Sequence, residues 1–598
     1  MKRNYLVLIL LYLFVNTNFG QQEKLVITPE ITAHELLSHI SFLASDELKG
    51  RMTGTDEILL AAEYIKSEFI KYGLKPVFDK SFFQEFQFIA GIELGNNNSL
   101  KFITKEEEIN PALKSDFIPV SFSGETQIKG KIVFAGYGIS STKVNYDDYR
   151  DIDVTDKIVV ILRNHPENNN PQSKFNEYSS LRYKASTAKE KGAAGVIFVN
   201  GYEFENDNLV QLKYDKAPIV KDFAALHIKR EFIEKIFSAA GLSFKEVQKL
   251  IADSLKPASI ELDVETEIET EIKEIQKVCR NVAGLLIGND PILKDEYLVI
   301  GAHYDHLGMG EAGSLFRGEE PQVHNGADDN ASGTAGVLEL AQKFGSINSE
   351  FKRSIIFIAF SGEELGLLGS NYFVNHSPIP TEKMIAMFNM DMIGRLNEEK
   401  SLIVYGTGTS SIWKEELEKN NQSGFKLTFN DEGFGPSDHS SFYGKNIPVL
   451  FFFTGVHSDY HRPTDDVEFI NSDGQKDVVR FIYQLAKNVA TSESKPNYIS
   501  VPRKEMESTR AWRVYVGTVP DFASTSDGFK ISGVNDGSPA ASGGMKAGDI
   551  INSFAGKAIN NIYDYVYALQ DCSPGDEVDV IVTRNGKKLS LKVKLGMR

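Results

Sequence analysis

The chain has 598 residues, a length typical of several domains rather than one. Its 41% hydrophobic and 25% charged residues are ordinary globular values, which excludes disorder or a coiled coil as a description of the whole chain. The 82 acidic and 65 basic side chains give a formal net charge of −17, which argues against a nucleic-acid partner because phosphate binding needs a basic surface. The two cysteines, Cys279 and Cys572, cannot form a cysteine-rich zinc site, so any metal would need His, Asp and Glu ligands.

The first twenty residues have the pattern of a secretory signal peptide. Lys2 and Arg3 precede an apolar run from Tyr5 to Val15, and Gly20 supplies a small residue at the exit. A membrane span needs about twenty apolar residues, and this run has only about eleven. We therefore expect an exported protein, periplasmic or extracellular, that is not an integral membrane protein. An uncleaved N-terminal anchor is the alternative.

Two changes of pattern follow along the chain. Apolar residues recur every three or four positions between about residues 30 and 74, which predicts helices. Residues 115–270 contain short β-rich runs separated by polar loops, and they hold no His/Asp/Glu cluster suited to a metal. This stretch therefore has the character of an inserted domain.

From residue 281 to about 491, apolar strands alternate with helices. The runs are nearly continuous, which is typical of a mainly parallel sheet with helices on both faces. Strands are predicted at Asn281–Ile287, Tyr297–Ile300, Ser354–Phe360, Met384–Phe388, Leu402–Tyr405 and Val449–Phe453. Beyond a polar linker near Pro496, a last unit contains short strands and a hairpin at Asn585-Gly586.

The chemistry concentrates where these strands end. His303-Tyr-Asp305, Glu363-Glu364, Asp391 and His461 each follow one of four predicted strands, and ligands of open α/β sheets bind at the carboxyl edge of the strands. Each cluster alone is a weak signal. Several unpaired carboxylates together would repel one another, however, and a shared divalent cation is the usual remedy. Histidines and carboxylates without cysteine suit a pair of zinc ions.

Five motifs carry a resemblance to a known family. They occur in family order over about 160 residues: Gly301-Ala-His-Tyr-Asp-His306, Asn325-Gly-Ala-Asp-Asp-Asn-Ala-Ser-Gly333, Phe360-Ser-Gly-Glu-Glu-Leu-Gly366, Asn389-Met-Asp-Met-Ile-Gly394 and Asp459-Tyr-His-Arg-Pro463. Together they resemble the co-catalytic di-zinc aminopeptidases, relatives of bacterial leucyl aminopeptidase, of glutamate carboxypeptidase II and of glutaminyl cyclase. The segment from Ser41 to Thr55, with Gly50-Arg51, also resembles the N-terminal segment of that family. The resemblance implies an α/β zinc-exopeptidase fold with a mainly parallel central sheet flanked by helices.

The resemblance also implies two zinc ions per chain, with a role for each motif residue. His303 and Asp391 would bind one ion, Glu364 and His461 would bind the other, and Asp328 would bridge them. The family further suggests a cis peptide bond after the bridging residue, here Asp328–Asp329.

The same family implies three residues that act beside the metals. Asp305 would hold the second ring nitrogen of His303. Glu363 would be the general base that takes a proton from the attacking water. Tyr460 stands where the family has its oxyanion donor.

The remaining histidines of this region have weaker signals. His439 would lie next to the substrate, with a structural role as the equal alternative. The others are expected to be loop hydrogen-bonders or surface residues: His306 and His324 in loops, His376 on the surface and His457 at the rim of the site.

The flanking segments resemble two known modules. Residues 115–270 resemble a protease-associated (PA) domain, inserted between the N-terminal part of the peptidase domain at 30–114 and its catalytic part at 275–495; such a domain would restrict access to the active site. Residues 510–598 resemble a PDZ domain of the bacterial protease type, which would bind a peptide or protein ligand by adding a strand to a sheet edge. Pro520 removes a backbone donor at that edge, so a purely structural role for this domain stays open.

The function that follows is a secreted zinc-dependent exopeptidase, an aminopeptidase acting on peptides with a free N-terminus. Glutaminyl cyclases use one zinc, so the full ligand set argues against that branch. A carboxypeptidase stays open, although only Arg317, Arg395 and Arg462 are near the motifs to bind a substrate carboxylate. An inactive binding scaffold is the third alternative; such scaffolds usually lose ligands, and none is missing here.

Overall fold

The computed structural model describes residues 30–168, 170, 173–215, 219–311, 313–316, 318, 320–347, 351–501, 514–520, 528–534, 537–559, 565, 568–569 and 572–597. The predicted signal peptide and Arg317 lie outside these residues. The described chain forms two compact units: one contains the residues up to Phe86 and from Val278 onward, and the other is Gln87–Lys277.

The N-terminal part of the first unit is helical, as the sequence predicts. Its elements are α1 (Ala33–Leu43), a tight turn (Asp46–Arg51), α2 (Asp56–Lys71), β1 (Lys75–Pro76) and β2 (Phe83–Leu94), the last of which continues into the second unit. Thr32 caps α1 by accepting a hydrogen bond from the backbone N–H of Glu35. The apolar stripes of both helices, such as Leu36 and Ile40 in α1 and Ile65 in α2, are buried in the core.

The second unit is an eight-stranded sheet with three helices. Its elements are β3 (Ser99–Ile103), β4 (Glu108–Ile109), β5 (Phe117–Pro119), β6 (Thr126–Phe134), β7 (Ser140–Ser141), β8 (Tyr146–Asp147), β9 (Ile158–Leu162), α3 (Leu181–Glu190), β10 (Gly195–Val199), β11 (Ala224–Ile228), α4 (Arg230–Ala239), α5 (Phe244–Ser254) and β12 (Ile260–Thr270). The strand order is β4-β3-β12-β6-β9-β10-β11-β5, with β7 and β8 as a separate pair. The fully buried strands β9, β10 and β11 run parallel at its centre. The β-rich insertion predicted at 115–270 thus falls inside a larger compact unit.

The rest of the first unit begins with the catalytic part of the sequence prediction. Its elements are β13 (Ile272–Leu286), β14 (Tyr297–His303), α6 (Gly333–Ser346), β15 (Ser354–Phe360), α7 (Leu368–His376), β16 (Met384–Met390), β17 (Ser401–Tyr405), α8 (Trp413–Asn420), β18 (Lys426–Asn430), α9 (His439–Tyr443), β19 (Val449–Phe453) and α10 (Ser472–Thr491). Short helical turns occur at Leu293–Asp295, Ala327–Ser332, Thr381–Lys383 and Val467–Phe469.

These strands form a nine-stranded mixed sheet in the order β1-β13-β15-β14-β16-β19-β17-β18, with β2 beside β13. The central strands β15, β14, β16 and β19 are parallel and buried apart from Tyr297 at the start of β14, which confirms the predicted fold class. All six predicted strands are present. β18 escaped prediction because its residues are exposed or only half-buried, so it lacks the apolar signal of the others.

The C-terminal domain is small and β-rich, and it has its own hydrophobic core. Its elements are β20 (Val514–Tyr515), β21 (Thr518–Pro520), β22 (Phe529–Val534), α11 (Pro539–Ser542), β23 (Ile550–Phe554), β24 (Lys557–Ala558), β25 (Glu577–Arg584), β26 (Lys587–Lys594) and β27 (Gly596–Met597). The predicted hairpin joins β25 to β26, with positive φ at Asn585 and Gly586. β21 and β26 are the two ends of the strand order β21-β22-β23-β25-β26. Among the described residues of the whole chain, no helix combines the length and the apolar character that crossing a membrane requires.

Candidate metal centre

The residues that follow the four central parallel strands lie at one edge of the sheet. His303 is the last residue of β14, and Asp391 comes directly after β16. Glu363 and Glu364 follow β15 after a two-residue turn, and His461 lies in the loop after β19. Because parallel strands share one carboxyl edge, these side chains lie close together.

The first group of candidate ligands surrounds the imidazole of His303. Its Nε2 atom lies 3.4 Å from a carboxylate oxygen of Asp329 and 3.4 Å from one of Asp391. All three side chains are buried, and their ligand atoms are close enough together to share one ion. The structure therefore brings His303 and Asp391 together, and their binding of one metal ion stays a prediction.

The second group surrounds the other oxygen of Asp329. Nε2 of His461 lies 3.2 Å from Asp329 Oδ2 and 3.4 Å from Glu364 Oε2. Nδ1 of His306 lies 2.8 Å from Glu364 Oε1 and 3.9 Å from Asp329 Oδ2. His306 was expected only as a loop hydrogen-bonder; it does hydrogen-bond Glu364, and it also belongs to the set of atoms that could hold an ion.

The expected bridging residue needs a correction of one position. The carboxylate between the two groups belongs to Asp329, with one oxygen facing His303 and the other facing His461. The carboxylate of Asp328 points elsewhere: its Oδ1 accepts the backbone N–H of Gly394 at 2.6 Å. The prediction of a cis bond at Asp328–Asp329 is wrong by the same step, because the cis bond is Asp329–Asn330. The two aspartates are neighbours in the sequence and both are buried, so the sequence alone does not tell which one faces the site.

Asp465 holds the loop that presents Asp329. One of its carboxylate oxygens accepts the backbone N–H groups of both Asp328 and Asp329 at 3.0 Å. Arg395 lies 3.3 Å from the other oxygen. His457, which the sequence placed at the rim, lies with Nε2 3.3 Å from Asp328 Oδ2 and so supports the same loop.

A chain of hydrogen bonds fixes the carboxylate of Asp391. The amide of Asn389 donates to the Ser437 hydroxyl at 2.8 Å, and that hydroxyl donates to Asp391 Oδ2 at 2.8 Å. Because the Ser437 oxygen is already an acceptor from Asn389, its proton is directed to Asp391. The other oxygen of Asp391, Oδ1, is buried without a hydrogen-bond partner among the described residues.

Asp305 lies next to His303, and the sequence analysis expected its carboxylate to hold the second ring nitrogen of that histidine. Its Oδ1 atom is 3.7 Å from His303 Nδ1, and its backbone carbonyl is closer, at 3.2 Å. The carboxylate also accepts the backbone N–H of Glu363 at 3.2 Å. Asp305 therefore links the imidazole of His303 to the turn that carries the expected base.

This donor set fits a pair of divalent cations. Buried Asp329 and Asp391 and half-buried Glu364 repel one another without a counterion. An orphaned buried oxygen such as Asp391 Oδ1 is a natural ligand position. Burial lowers the pKa of His303, but Asp391 and Glu363 more than offset it, so that this pKa lies well above its usual range. Imidazole and carboxylate without thiolate suit zinc.

Glu363 and Tyr460 complete the centre. Burial, together with the charges of Glu364, Asp438 and Asp391, raises the pKa of Glu363 well above that of an ordinary carboxyl, although His303 lowers it. The ring of Tyr460 stacks on that of His461, with centroids 3.8 Å apart. Burial and nearby carboxylates raise the pKa of Tyr460 well above its usual range, so its hydroxyl stays protonated.

The other histidines divide into buried and surface residues. His439 is fully buried, stacks on Phe451 with ring centroids 4.6 Å apart, and burial lowers its pKa to about 3. His324 is a buried loop residue that contacts the Ser314 hydroxyl at 2.7 Å, and exposed His376 stacks on Tyr372, both in accord with their expected roles. The place of His439 next to a substrate stays a prediction.

The sheet and its edge define a class: an α/β domain with a carboxylate- and histidine-lined metal centre at the carboxyl ends of its parallel strands. Residues 281–486 match the model of peptidase family M28. A PA domain matches at residues 115–236 and a PDZ domain at residues 519–595. The expected family and both expected modules are confirmed.

Similar proteins include several aminopeptidases. "Aminopeptidase YwaD" of Bacillus subtilis (strain 168) is 33% identical over 193 residues, which are 31% of this chain and 41% of the relative. "Leupeptin-inactivating enzyme 1" of Streptomyces exfoliatus is 32% identical over 172 residues, 28% of this chain and 34% of the relative. The chain thus spans less than half the length of these two curated relatives. The solved "Aminopeptidase from Aneurinibacillus sp. strain AM-1" aligns at 22% identity and a TM-score of 0.45, over 80% of this chain and 98% of that one.

Proposed function

We propose that this protein is an exported zinc aminopeptidase that releases N-terminal residues from peptides. The observation that carries the proposal is the pair of ligand groups sharing Asp329, with Glu363 beside them: Oε2 of Glu363 lies 4.0 Å from Nε2 of His303. The names of the similar proteins and the peptidase family M28 domain support the same activity. The export rests on the signal-like first twenty residues.

Some residues of the candidate metal centre would hold metal ions, and others would move protons. His303 and Asp391 would hold one zinc ion, Glu364 and His461 the other, and Asp329 both. Two zinc ions held in this way would polarise the scissile carbonyl and lower the pKa of an attacking water.

Glu363 has the position and the environment of a proton carrier. It would take the proton of the attacking water and return it to the leaving amine, and a raised pKa suits a carboxyl that must both accept a proton and give it up. Its backbone is fixed by hydrogen bonds from the N–H groups of Gly366 and Leu367 to its carbonyl and from its own N–H to Asp305. The protonated hydroxyl of Tyr460 would donate to the oxygen that becomes negative during attack.

A carboxypeptidase would need a cation for the substrate carboxylate. Arg395 does not offer one freely, because its guanidinium lies 3.3 Å from Asp465 and 3.5 Å from Asp459. This pairing argues against Arg395 as the carboxylate-binding cation of a carboxypeptidase.

The test uses one peptide with a free amino end and the same peptide acetylated. We expect the zinc-loaded chain to release the first residue from the free form only, with activity lost in Glu363→Gln and kept in Glu382→Gln, a surface glutamate of the same domain. Cleavage of both forms from the carboxyl end would establish a carboxypeptidase instead. Turnover of neither form by folded, zinc-loaded protein would favour the binding-scaffold alternative.

The PDZ domain adds a proposed peptide or protein ligand. β21 is one of the two end strands in the order of its sheet, and a ligand strand would add at such an edge. Pro520 pairs with Ile531 within that sheet and brings no N–H group of its own to a new partner. Any ligand would therefore bind through the part of the strand before Pro520.

A further inference from the structure

The segment Gly50–Thr53 runs against the loop that follows His303, although it lies outside the residues matched by the peptidase family model. The backbone N–H of His306 donates to the carbonyl of Arg51 at 3.3 Å, and that of Gly308 donates to the carbonyl of Gly50 at 3.0 Å. Gly50 has φ +69°, and a Cβ there would stand 2.4 Å from the Gly308 carbonyl oxygen. The close approach thus depends on a glycine at this position.

Arg51 is fully buried and joins the two loops that carry the candidate ligands. Its Nε donates to the carbonyl of Tyr304 at 2.9 Å, next to His303. Its Nη1 and Nη2 atoms donate to the carbonyls of Asn325 and Gly326 at 2.5 Å and 3.1 Å, in the loop that leads to Asp329. A fourth bond, to the carbonyl of Leu43 at 2.5 Å, anchors the guanidinium in the N-terminal helices.

The geometry of these bonds belongs to arginine alone. A guanidinium presents several N–H groups in one rigid plane, whereas a lysine ammonium is a single point and cannot reach four separated carbonyls. Burial lowers the pKa of Arg51 to about 10, which leaves it charged at neutral pH, beside the carboxylates of Asp305 and Asp329.

Thr53 acts on the same centre two residues later. Its hydroxyl donates to Asp305 Oδ2 at 2.8 Å, and both side chains are buried. The other oxygen of Asp305 faces His303 Nδ1 and accepts the N–H of Glu363. The Thr53 hydroxyl thereby sets the orientation of the carboxylate that lies behind His303.

We propose that Arg51 and Thr53 are positioning residues of the metal centre: Arg51 holds the loops of His303 and Asp329 in register, and Thr53 orients Asp305. Neither residue needs to touch a metal or a substrate. The proposal rests on the proposed zinc-dependent function.

The test is a zinc titration of the metal-free full chain in competition with a chelator of known affinity. Thr53→Val removes the hydroxyl at nearly constant volume, and Thr53→Ser restores it. Thr55→Val is the matched control because the Thr55 hydroxyl donates to the carbonyl of Met52 rather than to Asp305. We expect about a tenfold loss of zinc affinity in Thr53→Val, recovery in Thr53→Ser and no change in Thr55→Val.

Arg51→Lys and Arg51→Met separate geometry from charge. We expect both to lose at least about tenfold in zinc affinity, because both lose the planar guanidinium and its several N–H donors. Wild-type affinity in Arg51→Lys would overturn the role of the guanidinium geometry. Wild-type affinity in folded Thr53→Val would overturn the role of the hydroxyl. If the Arg51 variants do not fold, the Thr53 pair decides. Failure of the wild type itself to bind zinc would overturn the proposed function instead.

Discussion

Replacing Asp465 by alanine should loosen the loop that presents Asp329. One oxygen of the fully buried carboxylate accepts two backbone N–H groups at 3.0 Å each. A hydrogen bond to a charged group contributes roughly 1.5 to 3 kcal/mol, and the two donors would be left buried without an acceptor. Burial and the like charge of Asp328 raise the pKa of Asp465, because both disfavour its ionised form. This cost reduces the net contribution of the two hydrogen bonds. We therefore expect a net loss of about 2 to 4 kcal/mol.

Scanning calorimetry of the zinc-free chain measures this loss. For a domain of this size, 1 kcal/mol shifts the melting temperature by about 2 to 4 °C, so the peptidase transition should fall by roughly 5 to 15 °C. The transitions of the PA and PDZ domains should not move, and they serve as internal controls. Asp465→Asn keeps an oxygen for both N–H groups and should lose less than half as much. Melting of Asp465→Ala within about 2 °C of the wild type would refute the reasoning.

Three further predictions concern catalysis, pH and metal binding. Glu363→Gln should lower kcat by about 10²- to 10⁴-fold with an unchanged zinc content by metal analysis; an unchanged kcat would contradict its role as base. Burial lowers the pKa of His439 to about 3, so the stability that neutral His439 contributes is complete above about pH 6.5 and is lost as the pH falls toward 3, by about 1.4 kcal/mol per pH unit. His439→Phe, which keeps an aromatic ring on Phe451, should therefore show a smaller fall in the melting temperature of the zinc-free peptidase domain between pH 6.5 and 5, and equal slopes would count against this account. Added zinc should raise the melting temperature of the peptidase transition alone, less so in Asp391→Asn, and no shift in the wild type would contradict the metal centre.

The sheet and the clustering of the polar residues that follow its strands could be predicted, because both depend on local patterns of the sequence. Four apolar runs, each followed by a His or a carboxylate, are enough to place His303, Glu364, Asp391 and His461 at one edge. The choice between Asp328 and Asp329 could not be made in this way, since it depends on the path of an irregular turn between β14 and α6.

The supporting residues lie further beyond local patterns. The guanidinium of Arg51 bonds carbonyls more than 250 positions away, and Asp465 bonds backbone groups 136 and 137 positions away. Spacing in the sequence carries no information about such contacts. Ser437 is a different case, because it stands two residues before His439, which the sequence analysis did single out as a residue next to the substrate.

The central claim is that Asp329, and not its neighbour, is the ligand shared by two zinc ions. Metal analysis of Asp329→Asn and Asp328→Asn after identical zinc loading and dialysis tests it most directly, because the two variants differ by one position in the same buried turn. We expect Asp328→Asn to retain two zinc ions per chain and Asp329→Asn to retain fewer, with a matching loss of peptide hydrolysis. Full zinc content in Asp329→Asn together with loss of zinc from Asp328→Asn would contradict the account.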